Sequence, residues 1–142
     1  MKAPVIRYET VFKALADRNR LRVVNLLLCA DSLCGCEFMG AIQIPQYEVS
    51  RHLAVLRRAG MVTARRQAKW VYYSLSEEPA ALRDLWGLLR ASFGDDTGMA
   101  RDADRMKARL ALREGGSCVV GGIPPGRSSR RREPGTVAAR QE

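Results

Sequence analysis

Histidine is almost missing from this chain, with one residue, His52, in 142. A lone imidazole without a neighbouring nucleophile or acid offers neither a His-rich metal centre nor a hydrolytic triad. No glycine-rich loop is present to cradle a phosphate, so nothing reads as an enzyme. Long apolar runs are also lacking, and none approaches the roughly 20 residues of a membrane span. The start, "MKAPVIRYETVF", breaks its apolar residues with Arg7 and Glu9, unlike a signal peptide, so a soluble cytoplasmic protein is expected, with no membrane partner. Cysteines number only four. In a reducing compartment these exclude a disulfide scaffold and leave metal binding, redox sensing or plain burial.

Positive charge is what the chain has in excess. There are 24 Lys and Arg against 15 Asp and Glu, a net of +9, and the default partner for such a surplus is a nucleic acid. The segment from Gly115 to Glu142, rich in Gly, Pro, Ser and Arg, reads as a disordered tail. It holds five Arg and two Glu, or +3, so residues 1–114 keep +6 and form the single folded domain. Arg130 to Arg132 read as a solvated part of that tail.

Apolar periodicity predicts a mainly helical fold with one small β-hairpin. A first helix runs through "RYETVFKALA", and Asp17 caps a second in which Leu21, Val24 and Leu28 share a face and which Cys29 closes. Asp31 and Ser32 cap a third across "LCGCEFMGAI", putting Cys34 and Cys36 in its first turn and pairing Phe38 with Ile42. Pro45 and Gln46 mark a turn into a fourth helix that ends at Gly60. The stretch "MVTARRQAKWVYYSLS" then alternates as a hairpin, with Val62 and Ala64 on one face of its first strand and Val71, Tyr73 and Leu75 on one face of its second. Two further helices follow. The first carries Leu82, Leu85, Trp86, Leu89 and Phe93 on a wide stripe, and the second carries Met99, Ala103, Met106 and Leu110. Apolar stripes this late in the chain have little core left to cover and point to a subunit interface.

The fourth helix divides cleanly on a helical wheel. Val49, Leu53 and Leu56 share the inner face, while Tyr47, Ser50, Arg51 and Arg58 point outward. With Gln46, the outward residues suit a helix laid in the major groove: Gln46 and Ser50 reach base edges, and Arg51 pairs with guanine or phosphate. Arg65, Arg66 and Lys69 at the hairpin tip add a basic finger for backbone or minor-groove contact. His52 lies on the boundary between faces, where a buried ring bonded to backbone and a DNA contact are alternatives.

The ordered series "LADRNRLRVVNLL", "LCGCEFM" and "VSRHLAVLRRAGMVTARRQAKWVYYSL" resembles the ArsR/SmtB family of winged-helix repressors from Tyr8 to Phe93. That resemblance implies a winged helix-turn-helix homodimer on an imperfect palindrome of double-stranded operator DNA, released when a metal or metalloid binds. It makes "CEFMGAIQI" and "YEVSRHLAVLRR" the helix-turn-helix and "TARRQAKWVYYSL" the wing. Arsenite-responsive members look like CxC followed by a third cysteine three residues on. Here Cys34 and Cys36 match, but Met39 occupies the third position and reads as core. Ala68 stands where the family's wing usually has glycine, from which the turn is expected to avoid a positive φ. The histidine- and carboxylate-bearing site of the zinc, cobalt and nickel sensors is not rebuilt around Arg83, Asp84 and Arg90.

Thiolates are soft ligands, and trivalent arsenic or antimony takes three sulfurs. The third sulfur is Cys29, if the loop after it folds back, or Cys118, reaching from the tail. Loop-closure entropy favours Cys29. A helix N-terminus is expected to lower the pKa of both Cys34 and Cys36. The same thiols leave cadmium, lead or oxidant sensing open as alternatives, and beyond them a thiol metallochaperone.

Overall fold

The computed structural model describes residues 7–114 and residue 118. The expected tail, with Arg130 to Arg132, therefore lies outside the described residues except for Cys118, which is buried. Helix α1 (Tyr8–Leu15) leads into α2 (Arg18–Cys29), whose start is fixed by Asp17. That residue is extended, and its carboxylate accepts from the backbone N–H groups of Asn19 and Arg20 at 2.9 and 3.1 Å. Val23, Val24 and Leu26 of α2 are wholly buried, and the helix touches every other helix as well as the hairpin.

Helices α3 (Gly35–Ile42) and α4 (Gln46–Arg58) form the helix-turn-helix. Gln43 leaves α3 in the left-handed region, at φ 67°, and donates its N–H to the Met39 carbonyl. Helix α4 ends in a Schellman motif, with the N–H of Gly60 on the Arg57 carbonyl and the N–H of Met61 on the Leu56 carbonyl. Gly60, at φ 78°, supplies the left-handed residue that this closure needs.

Strands β2 (Val62–Gln67) and β3 (Trp70–Leu75) make the wing, pairing Val62 with Leu75 and Gln67 with Trp70. Two expectations are corrected here. Ala68 does adopt a positive φ, 56°, because a two-residue reversal between right-twisted strands demands it whatever the side chain. The third helix also starts later than expected. Leu33 and Cys34 form a short strand, β1, paired antiparallel with Tyr73 and Tyr72, so the sheet has three strands in the order β1-β3-β2. Asp31 and Ser32 consequently cap nothing; Cys34 holds the N-cap position, and its N–H donates to the Glu37 carboxylate at 3.0 Å.

Helices α5 (Ala80–Phe93) and α6 (Thr97–Leu110) close the domain. Leu82 and Trp86 are buried, and Leu85, Leu89 and Phe93 pack half-buried on the same core, so the late stripe is largely used within the chain. Leu88 stays 63% exposed. Among the described residues no helix is long and apolar enough to cross a membrane.

The core carries a buried ionic knot around Asp102. Asp102 of α6 receives the Arg22 guanidinium at 2.7 and 2.9 Å and Arg105 at 2.7 Å. Both arginines reach on to the last carbonyls of α3, Arg22 to Ile42 at 3.0 Å and Arg105 to Ala41 at 2.7 Å. Asp102→Ala leaves two guanidiniums without their anion and is expected to destabilise the domain by about 3 kcal/mol, the low end for a broken buried pair because both arginines keep some water. Ala68→Gly, by removing a Cβ from the left-handed region, is expected to stabilise it by about 1 kcal/mol. Urea denaturation reads both.

Candidate thiol centre and nucleic-acid surface

Cys34, at the end of β1, and Cys36, in the first turn of α3, place their sulfurs 3.1 Å apart. The Cys118 sulfur sits 3.2 Å from that of Cys36, and all three lie within 4.8 Å of one another. Each residue is buried, Cys118 to 2% exposure. Cys29, in contrast, is exposed at the end of α2 and lines a separate cavity with Arg90, Phe93 and Met99. Against the sequence preference for Cys29 as third sulfur, the structure groups Cys118 and not Cys29 with the thiol pair. Met39 packs half-buried between the main core and the thiol cluster, as expected of a core residue.

The thiols do not share one pKa shift, and this too corrects the sequence reading. Hydrogen bonding to Cys36, reinforced by burial, pushes the Cys34 thiol far above its ordinary range. The same bond, received from Cys34, lowers the pKa of Cys36 against burial and the contact with Cys118, with help from the charge of Arg109. Arg109 is itself buried, with a guanidinium nitrogen 3.9 Å from the Cys118 sulfur. Cys36 is thus the more readily ionised of the pair, with a neighbouring thiol and a cation rather than a helix end as the cause.

Four residues that sequence reasoning did not single out hold this arrangement. They are Glu37, Tyr72, Arg109 and Arg113. Glu37 accepts from Arg113 Nε and Nη2, both at 2.7 Å, and Arg113 also donates to the Ser32 carbonyl at 2.9 Å. The pair ties the end of α6 to the start of α3. Tyr72 accepts the backbone N–H of Cys118 at 2.8 Å. A signal for it existed: with Val71 and Tyr73 together on one face of the strand, Tyr72 is a large aromatic on the supposed outer face of a hairpin, which needs something to cover it.

The outward face of α4 is as expected. Gln46, Tyr47, Ser50 and Arg51 are exposed, Tyr47 to 71%, over buried Val49, Leu53 and Leu56. In the wing Arg65, Arg66 and Lys69 are exposed, with Lys69 over the Trp70 ring at 5.2 Å. Gln46, Ser50 and Lys69 line one cavity of about 330 Å³ together with Cys34 and Cys36. Arg58 is exposed at the far end of α4, beside Lys13 and Arg20 of the first two helices and apart from that group. His52 is only 3% exposed, so its candidacy as a DNA contact is corrected. Its Nδ1 lies 3.4 Å from Arg20 and its Nε2 lies 3.6 Å from Glu48, which seat it inside the α2–α4 contact.

Burial raises the pKa of Glu37, but the Arg113 guanidinium and the Cys34 N–H outweigh it and set a net value below the ordinary 4.5. A carboxylate depressed in the folded state adds stability that is complete above its unfolded pKa and disappears as pH falls through the folded value. Glu37→Gln is therefore expected to be less stable than the wild type at neutral pH, with the gap constant down to about pH 4.5 and shrinking below it. Urea denaturation across that pH range checks it.

Residues 17–64 match the family described as bacterial regulatory protein, arsR family. The chain is 48% identical over 68 residues to the arsenic resistance transcriptional regulator ArsR2 of Pseudomonas putida, a match covering 48% of this chain and 59% of that relative. The chain thus spans little more than half of that relative's length. It is 35% identical over 72 residues to the arsenical resistance operon repressor of Bacillus subtilis, covering 51% of this chain and 69% of the relative. Among solved structures, reduced HlyU from Vibrio cholerae superposes with a TM-score of 0.56 at 31% identity, over 62% of this chain and 90% of that one. The matched residues carry the helix-turn-helix and the CxC segment, and the chain belongs to the arsR family of bacterial regulatory proteins.

Proposed function

We propose that this chain is a cytoplasmic transcriptional repressor that leaves its operator when trivalent arsenic or antimony binds Cys34, Cys36 and Cys118. The observation that carries the reading is the buried sulfur triangle, three thiols within 4.8 Å of one another. Arsenite reacts with three thiols by exchanging its three hydroxides, each leaving as water with one thiol proton. A pyramidal trithiolate needs no fourth ligand. The donor set favours it over cadmium or zinc, which take a fourth ligand, because among the described residues the cluster offers no imidazole or carboxylate: His52 is held in the α2–α4 contact and Glu37 by Arg113. Cys29 has no part in this centre.

On DNA, α4 lies in the major groove with Gln46, Tyr47, Ser50 and Arg51 toward the bases, while Arg65, Arg66 and Lys69 of the wing meet the backbone. Arg58 contributes a phosphate contact at the other end of α4. A homodimer matches two half-sites, and exposed Tyr8 and Phe12, each 60% accessible on α1, together with Leu88 on α5, offer apolar surface for it. Drawing three sulfurs onto one atom shifts β1 against α3, and with it the wing against α4. By linkage, operator weakens metalloid binding by the factor by which metalloid weakens operator binding, and a factor of about 100 corresponds to about 3 kcal/mol.

Fluorescence anisotropy on an operator fragment tests this. Saturating arsenite is expected to weaken wild-type binding about 100-fold, with the Cys34→Ser, Cys36→Ser and Cys118→Ser variants staying bound and Cys29→Ser responding like the wild type. Release of the wild type by cadmium but not arsenite would redirect the reading to a soft divalent ion.

A further inference from the structure

We propose that Tyr72 is the positioning residue of the thiol centre: its hydroxyl holds the Cys118 backbone over the Cys34–Cys36 pair, and its ring links that centre to the wing. The inference rests on the three-sulfur reading above and adds a residue to it. Tyr72 is buried in β3, where its backbone pairs with Cys34 of β1 on one side and with Arg65 of β2 on the other. Its hydroxyl oxygen accepts the Cys118 N–H at 2.8 Å. A buried backbone N–H requires an acceptor, and here a side chain supplies it.

The ring has a second set of contacts. The Arg113 guanidinium lies over it at 5.5 Å and the Arg65 guanidinium at 5.8 Å. Arg113 is the partner of Glu37 at the start of α3, and Arg65 is an exposed cation of the wing. One side chain thereby touches the third sulfur's backbone, the clamp on α3 and a charge facing DNA. A displacement of Cys118 on closing around a metalloid passes through the phenol to Arg65 without crossing the main core.

Tyr72→Phe is the informative variant, because it keeps the ring and removes only the acceptor. Two readouts are taken on the full chain: the alkylation rate of each cysteine by iodoacetamide, with exposed Cys29 as internal reference, and arsenite affinity from the ultraviolet sulfur-to-arsenic absorption. Cys118 alkylation is expected to rise about 3- to 10-fold and arsenite affinity to fall by a similar factor, the range one hydrogen bond supports. Cys34 and Cys36 should keep their rates, since general loosening would raise all three together. Wild-type behaviour in either readout, or a joint rise of all three thiols, overturns the proposal. Cys118→Ser separates the two readings. If it binds arsenite as tightly as the wild type, the three-sulfur reading falls and Tyr72 has no centre to position. If it loses arsenite while Tyr72→Phe does not, the centre stands and Tyr72 is not what positions it.

Discussion

Helix α3 is held at both ends by guanidinium groups that belong to other elements, and the rest of the arrangement depends on that clamp. At its start Arg113 grips Glu37 through two oxygens. At its end Arg22 and Arg105, both anchored on Asp102, take the Ile42 and Ala41 carbonyls. Helix ends normally leave such carbonyls to water or to a following turn. Here they are used to fix the depth and tilt of a helix only eight residues long, which has too little propensity of its own to stay formed. Both the thiol pair and the support for α4 inherit their positions from it.

The clamp also accounts for where the third sulfur comes from. Arg113 fixes the end of α6 beside Ser32 and Glu37, and Cys118 follows five positions later in sequence. Loop length alone favours Cys29, because closure entropy takes no account of the contacts that offset it. Two charge-assisted hydrogen bonds to Glu37 and one neutral bond to Tyr72 are the contributions left out.

Much of the fold was legible because its signals are local. The inner face of α4, the Asp17 cap, the Gly60 closure and the alternation of the wing follow from periodicity and backbone chemistry within a few residues. The errors share the opposite property. Leu33 and Cys34 became a strand through pairing with Tyr73 and Tyr72, far along the chain, and His52 was buried by Arg20 and Glu48, one of them on another helix. At Ala68 the hairpin's geometry overrode the residue's own preference. At the thiols, a helix end acting on Cys34 and Cys36 separately is overridden by their contact, because sulfurs 3.1 Å apart titrate as a coupled pair.

The cavity between α4 and the wing has a consequence for timing. Cys34 and Cys36 line it together with Gln46, Ser50 and Lys69, residues proposed to meet DNA. A duplex seated on those residues as proposed narrows that route, so an inducer reaches the sulfurs more slowly in the DNA-bound protein than in the free one. Along that route the delay before release lengthens with residence time on the operator.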